Sequence, residues 1–201
     1  MRVYSFIHGI VIDGDAEYDE VFIIAMRGRA EIVVTKGDQT AVTFSMGSDG
    51  GPRAVYMPPS ASYRLTAMSD CDIAYARVKP VEVQLPEPGG FASTGNRLDI
   101  TGYATAMDLA LTKVAAGHAV GLGDHEPSTE RFVHLRAVDA MTASIAGEPL
   151  SDWDTVALNN DASTIRVETG AAEILSISAS NSRHAALIRR SQPTTTGREP
   201  R

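Results

Sequence analysis

Apolar residues in this chain come in short runs, and nearly every run is closed by Gly, Pro, Asp or Asn. That rhythm predicts strands rather than helices. In the first half the runs occupy 3–12, 20–26, 30–35, 41–46, 53–59, 63–67 and 72–78. Arg27-Gly28-Arg29 and Lys36-Gly37-Asp38 are turn sequences between them. Together they predict an antiparallel meander able to roll into a small barrel or sandwich. Residues 21–26 are apolar without a break, which predicts a strand buried on both faces. One face would line the first barrel. The other would meet a second barrel or a second subunit, so a homodimer is one arrangement left open.

The pattern changes at 80–96, which is rich in Pro and Gly and has little periodicity. It divides the chain into a first barrel at 1–80, a partly extended linker at 81–96 and a second barrel at 97–180. The second strand series runs 97–104, 106–114, 130–138, 141–146, 154–160, 164–169 and 172–180. Residues 107–116 have helical propensity, but they mirror the first strand of the other half, which favours a strand. Each half has a strand, a loop, a Glu opening an apolar strand (Glu20, Glu130), a turn and a late final strand. That repetition predicts a duplicated all-β barrel. Residues 181–201 are polar, Pro-containing and basic, and read as a flexible tail.

Composition narrows the partners. The 201 residues carry a formal net charge of -7, which argues against nucleic acid, since phosphate binding needs clustered Lys and Arg. No apolar run is long enough to span a bilayer, and the first residues lack the features of a signal peptide. The single Cys71 excludes a disulfide framework and a cysteine zinc site. A lone thiol suits a reducing compartment, so the expectation is a cytoplasmic protein with Cys71 as a buried, inert thiol. There is no GxSxG, P-loop or CxxC.

Two segments carry a family resemblance. Glu20 through Ala30 looks like a Glu–apolar strand–Gly-Arg-Ala hairpin, and 54–67 looks like an AVY-x-PP-x-x-SY-x-x-TA segment. Both resemble the 5-deoxy-glucuronate isomerase and 5-keto-4-deoxyuronate isomerase family, which are bicupins. Arg97 to Ile100 and Lys113 to His118 continue the likeness, which covers most of 1–180. It implies two tandem cupin barrels, aldose–ketose isomerisation of a sugar acid as in inositol catabolism, and a divalent metal (Zn, Mn, Fe or Ni) in the second barrel. Such a site takes imidazoles and a carboxylate, and leaves positions open for substrate.

The sequence meets that pattern in part. His125 matches the first His of the family's HxH, Pro127 stands at the second, Glu130 matches the Glu, and Ser163 lies where the last His belongs. His125 and Glu130 are therefore the candidate metal ligands and catalytic residues. His118, Asp124 and Glu126 are the available substitutes. His134 shares a strand face with Glu130 by two-residue alternation. Four residues of strand span roughly 13 Å, so the two cannot hold one ion. His134, Lys113 and Trp153 are candidate substrate contacts, with Trp153 as a stacking surface. The first barrel keeps Glu20 but no nearby His, and reads as structural. Three function classes stay open: a sugar-acid isomerase with a reduced metal shell, a metal-free cupin using Glu130 and His125 in acid/base chemistry, and a non-catalytic small-ligand binder.

Overall fold

A computed structural model of the chain describes residues 1–47, 50–80, 86–94, 97–100, 106–122, 129–158 and 164–180. Among them every regular element is a strand. The first half contains β1 (Arg2–Phe6), β2 (Val11–Asp15), β3 (Glu20–Arg27), β4 (Arg29–Lys36), β5 (Val42–Gly47), β6 (Pro52–Met57), β7 (Ala61–Ala67) and β8 (Cys71–Val78). Two connecting strands follow, β9 (Gly89–Thr94) and β10 (Arg97–Asp99). The second half contains β11 (Met107–Ala115), β12 (His118–Gly121), β13 (Thr129–Ala137), β14 (Thr142–Ile145), β15 (Glu148–Leu150), β16 (Thr155–Leu158), β17 (Thr164–Thr169) and β18 (Ala171–Ser180).

The pairing repeats. In the first half β1-β8-β3-β6 faces β2-β7-β4-β5, and in the second β11-β18-β13-β16 faces β12-β17-β14-β15. The second order is the first with ten added to each strand number. β9 and β10 join β6 to β11, so the two inner sheets form one continuous ten-stranded sheet. This is the duplicated barrel that the matching halves predict. The 107–115 segment is a strand with alternating burial, as the mirrored position implied.

β3 shows how the sequence drives this arrangement. Val21, Ile23 and Ala25 point into the first barrel's core. Phe22, Ile24 and Met26 point the other way, into an apolar layer shared with Leu98, Leu109, Leu111, Leu175 and Ile177 of the second half. A strand with no polar face has to be covered on both sides, and the second barrel supplies the second cover. A third core of Val133, Leu135, Ile165, Val167 and Ile174 fills the second barrel.

Three polar ties cross between the barrels. Glu20 is fully buried and accepts from the Tyr56 hydroxyl and the Ala106 N–H, each at 2.9 Å. Arg53 donates to the Ala25 and Met26 carbonyls and pairs with Glu173 of β18 at 2.9 Å. It sits at a β-bulge, opposite a second bulge at Met26, and its guanidinium serves carbonyls there. Asp72 of β8 accepts from Ser5 at 2.8 Å and from Arg136 of β13 at 3.1 Å.

Two local expectations change. The apolar run 3–12 is two strands in different sheets, because Gly9 (φ 86°) turns the chain between them. His8 lies exposed on that turn instead of within a strand. Within the Pro/Gly stretch, Gly89–Thr94 pairs with both β6 and β10. The Gly28 turn is as expected. Its φ is 73°, and a Cβ there would lie 2.2 Å from the Asp70 carbonyl, so the hairpin admits no side chain at this position.

Candidate functional site

The first barrel contains an open cavity of about 260 Å³, lined by Tyr4, Phe6, Ile12, Ile23, Tyr63, Leu65, Ile73 and Tyr75. Strand alternation places them. Tyr4 and Phe6 share one face of β1, Ile73 and Tyr75 one face of β8, and Tyr63 and Leu65 one face of β7. The inner ends of these rows carry the aliphatic residues that continue into the barrel core. Tyr4 and Phe6 stack at 6.0 Å between centroids.

Tyr63 lies opposite Gly14 across the β2–β7 ladder. A Cβ at Gly14 would sit 2.6 Å from the ring carbon and hydroxyl of Tyr63. The glycine is therefore the seat on which this ring rests. Burial, then the neighbouring Tyr75, Tyr4 and Asp15, pushes the Tyr63 phenol up to about 12, against an opposing pull from Arg77. Tyr75 is raised by burial as well, with Arg77 lowering it and Asp15, Asp19 and Glu17 raising it. Both phenols stay protonated at neutral pH.

The charged residues near these phenols are mostly paired. Arg77 bonds Asp19 at 2.7 Å and Glu17 at 3.0 Å, and Arg64 bonds Asp13 at 2.7 Å. No charged side chain lines the cavity itself. Cys71 lies buried in the same barrel's core, and burial, then Asp72 and Asp70, pushes its thiol up, away from the reactive thiolate.

The residues singled out from sequence are distributed as follows. His125, with Asp124, Glu126, Pro127 and Ser163, lies outside the described residues. Glu130 lies in β13, opposite Ala179, and its side chain is outside the described set. His134 is buried, on the face of β13 away from Val133 and Leu135, which fill the second barrel. Its Nδ1 is 2.9 Å from Thr155 Oγ1, and its ring meets Trp153 edge-on at 5.7 Å. Burial pulls its pKa down, opposed first by Asp152.

The Trp153 ring packs over Arg136 at 5.1 Å, and the backbone N–H of Trp153 donates to the Leu135 carbonyl. It occupies a left-handed backbone position (φ 73°) in the turn before β16. The structure thus brings His134 and Trp153 together. Lys113 is exposed, across from Glu173 and two strands from Arg136. His118 opens β12, exposed, with Nδ1 at 3.0 Å from the Ala116 carbonyl.

Sequence reasoning missed the aromatic cavity, because Tyr and Phe in strands read as core. The signal was the recurrence of Tyr at 4, 63 and 75 on apolar strands of the first half. It also missed Arg131, which is buried on the same side of β13 as Val133 and Leu135. Burial pulls its guanidinium down.

A metal centre finds no support among the described residues. No group of three His, Cys, Asp or Glu side chains there is disposed to hold an ion.

No protein-family model and no curated protein matches the sequence. Solved structures do match. An IolB-like protein from Salmonella typhimurium LT2 is similar with a TM-score of 0.65 and 13% identity, over 89% of this chain and 82% of that one. The oxalate decarboxylase of Lactobacillus farciminis, in a formate complex, is similar with a TM-score of 0.62 and 8% identity, over 89% and 75%. That of Bacillus subtilis, described by its Mn(II) centres, gives 0.59 and 10%, over 89% and 68%. At these identities the likeness concerns fold. It agrees with the resemblance carried by 20–30 and 54–67. The chain is a bicupin in fold: two eight-stranded cupin barrels in tandem, tied through one continuous sheet.

Proposed function

We propose that this protein binds a small organic molecule inside its N-terminal barrel. The observation that carries the proposal is the cavity of about 260 Å³ with four aromatic rings in its wall. Concave, largely apolar sites with a few polar groups are the usual form of a small-molecule pocket, and barrel mouths are a common place for them. Three phenols supply the polar groups here. Nothing in the lining is a nucleophile or a base active at neutral pH, so binding rather than catalysis is the function assigned to this barrel.

The test uses protein labelled with 3-fluorotyrosine. Its six tyrosine signals are assigned by Tyr→Phe variants and followed by ¹⁹F NMR against a set of small ring compounds and sugar acids. The Tyr4, Tyr63 and Tyr75 signals are expected to move with a ligand, while that of Tyr18, 86% exposed, stays fixed. Ligands that bind without moving any of the three would overturn the assignment.

A second reading concerns the other barrel. The resemblance in 20–30 and 54–67 supports a sugar-acid isomerase acting through His125 and Glu130, with or without a divalent metal such as Mn. Metal analysis of untagged protein beside His125→Ala, with uronate turnover for both, separates this reading from the first. Stoichiometric metal or turnover lost in the variant would support it.

A further inference from the structure

We infer that the N-terminal pocket takes one neutral aromatic ring with one or two small substituents, and that Gly14 sets the pocket's shape by seating Tyr63. This rests on the binding role proposed above for the same barrel.

Size is the first argument. A cavity of about 150 Å³ in a protein interior accommodates benzene, and drug-sized sites begin at about 300 Å³. At about 260 Å³ this pocket suits a ligand on the order of ten non-hydrogen atoms.

The wall is the second. Phe6 and the three tyrosines present faces and edges that pair with another ring. Ile12, Ile23, Leu65 and Ile73 close the inner part and offer no hydrogen-bond partner. A sugar acid would bury several hydroxyls against these aliphatic residues, at a cost of about 1–3 kcal/mol for each one left unpaired. A phenol carries a single hydroxyl, which can remain at the tyrosine end.

Charge is the third. The lining has no cation to receive a carboxylate. Arg77, which acts on both Tyr63 and Tyr75, is already held by Glu17 and Asp19. Asp15 adds a further carboxylate, close enough to act on both Tyr63 and Tyr75. A neutral ring avoids these carboxylates and an anion does not.

Gly14 then becomes a shape-determining residue. The clash of an added Cβ is with the far end of the Tyr63 ring and not with backbone. Gly14→Ala can fold if the ring lifts off β2, and this redraws the pocket wall.

Isothermal titration with p-cresol and with glucuronate tests the inference on the full-length protein, Gly14→Ala and Tyr63→Ala. Wild type is expected to bind p-cresol at least tenfold more tightly than glucuronate. Gly14→Ala is expected to weaken p-cresol about tenfold. If Gly14→Ala does not fold, Tyr63→Ala, which removes the ring instead of displacing it, is expected to weaken p-cresol by a similar factor. Glucuronate binding that moves the Tyr63 and Tyr75 ¹⁹F signals while p-cresol leaves them fixed would overturn the ligand class and leave the pocket standing. Unchanged p-cresol affinity in the folded variants would overturn the role of Gly14 and Tyr63. No compound moving those signals would overturn the binding role itself.

Discussion

Glu20 does something its sequence position conceals. By motif it is the carboxylate of a site, but in the fold it accepts from the Tyr56 hydroxyl and the Ala106 N–H at zero exposure. Truncating it leaves buried donors without that acceptor, each costing about 1–3 kcal/mol. Glu20→Ala is therefore expected to lose about 2–5 kcal/mol in urea unfolding, and Glu20→Gln less. A loss under about 1 kcal/mol for the alanine variant would rule out an anchoring role. His134 gives a pH prediction. Burial holds its folded pKa below the ordinary 6.5, so the unfolded chain takes up the proton first as pH falls. Stability attributable to His134 is complete above about pH 6.5 and declines as pH drops toward the folded pKa. Asp152, Arg136, Asp72 and Asp154 act on the ring and remain in a His134→Gln variant. That variant should lose less stability than wild type between pH 7 and 5. Parallel losses would show that His134 is not the titrating group. Residue roles were the least legible part of the sequence, because they depend on face. Alternation assigns His134 and Glu130 to one face of β13, but it cannot say which face meets the core.

Strands were far more legible than sites. Apolar runs closed by Gly, Pro or Asp locate β3 through β8 and β13, β14, β16, β17 and β18 to within a few residues. The unbroken 21–26 run also predicts two-sided burial, which Phe22 and Ile23 illustrate in separate cores. β12 and β15 escaped notice because they are short and largely exposed, so burial imposes no pattern on them. β9 was hidden by its glycines, which pair through backbone alone. The turn at Gly9 was hidden because Ile7, Ile10 and Val11 are apolar yet exposed. The ties between elements suggest a further test. Asp72 and Glu173 each hold an arginine across the barrel interface, in surroundings that leave little of either pair in water. Removing one partner of a buried pair costs about 3–5 kcal/mol, mostly from the charge left behind. Glu173→Ala is expected to show a loss of that order in chemical denaturation, and Asp72→Ala a smaller one, because Arg136 keeps Asp152 as a second partner. Values near those of exposed pairs such as Arg64–Asp13, about 0–1 kcal/mol, would contradict it.

At the scale of the molecule, the repeated strand order and the shared apolar layer make the barrels one folding unit. Phe22, Ile24, Met26 and Tyr56 are covered by the second half, so a chain cut after the first barrel would expose them. The full protein is expected to unfold in a single transition followed alike by tyrosine fluorescence and circular dichroism, and residues 1–80 alone to aggregate or remain unfolded. Two separated transitions would show that the barrels are independent. The duplicated barrel was legible from the two matching halves. The division of labour between them was not, because the metal-ligand pattern drew attention to His125 and Glu130 while the aromatic pocket formed in the other half. The most direct measurement is a crystal structure of the full-length protein soaked with p-cresol. A ring bound between Tyr63 and Tyr75 in the first barrel is the predicted result. A ring bound only in the second barrel would contradict it.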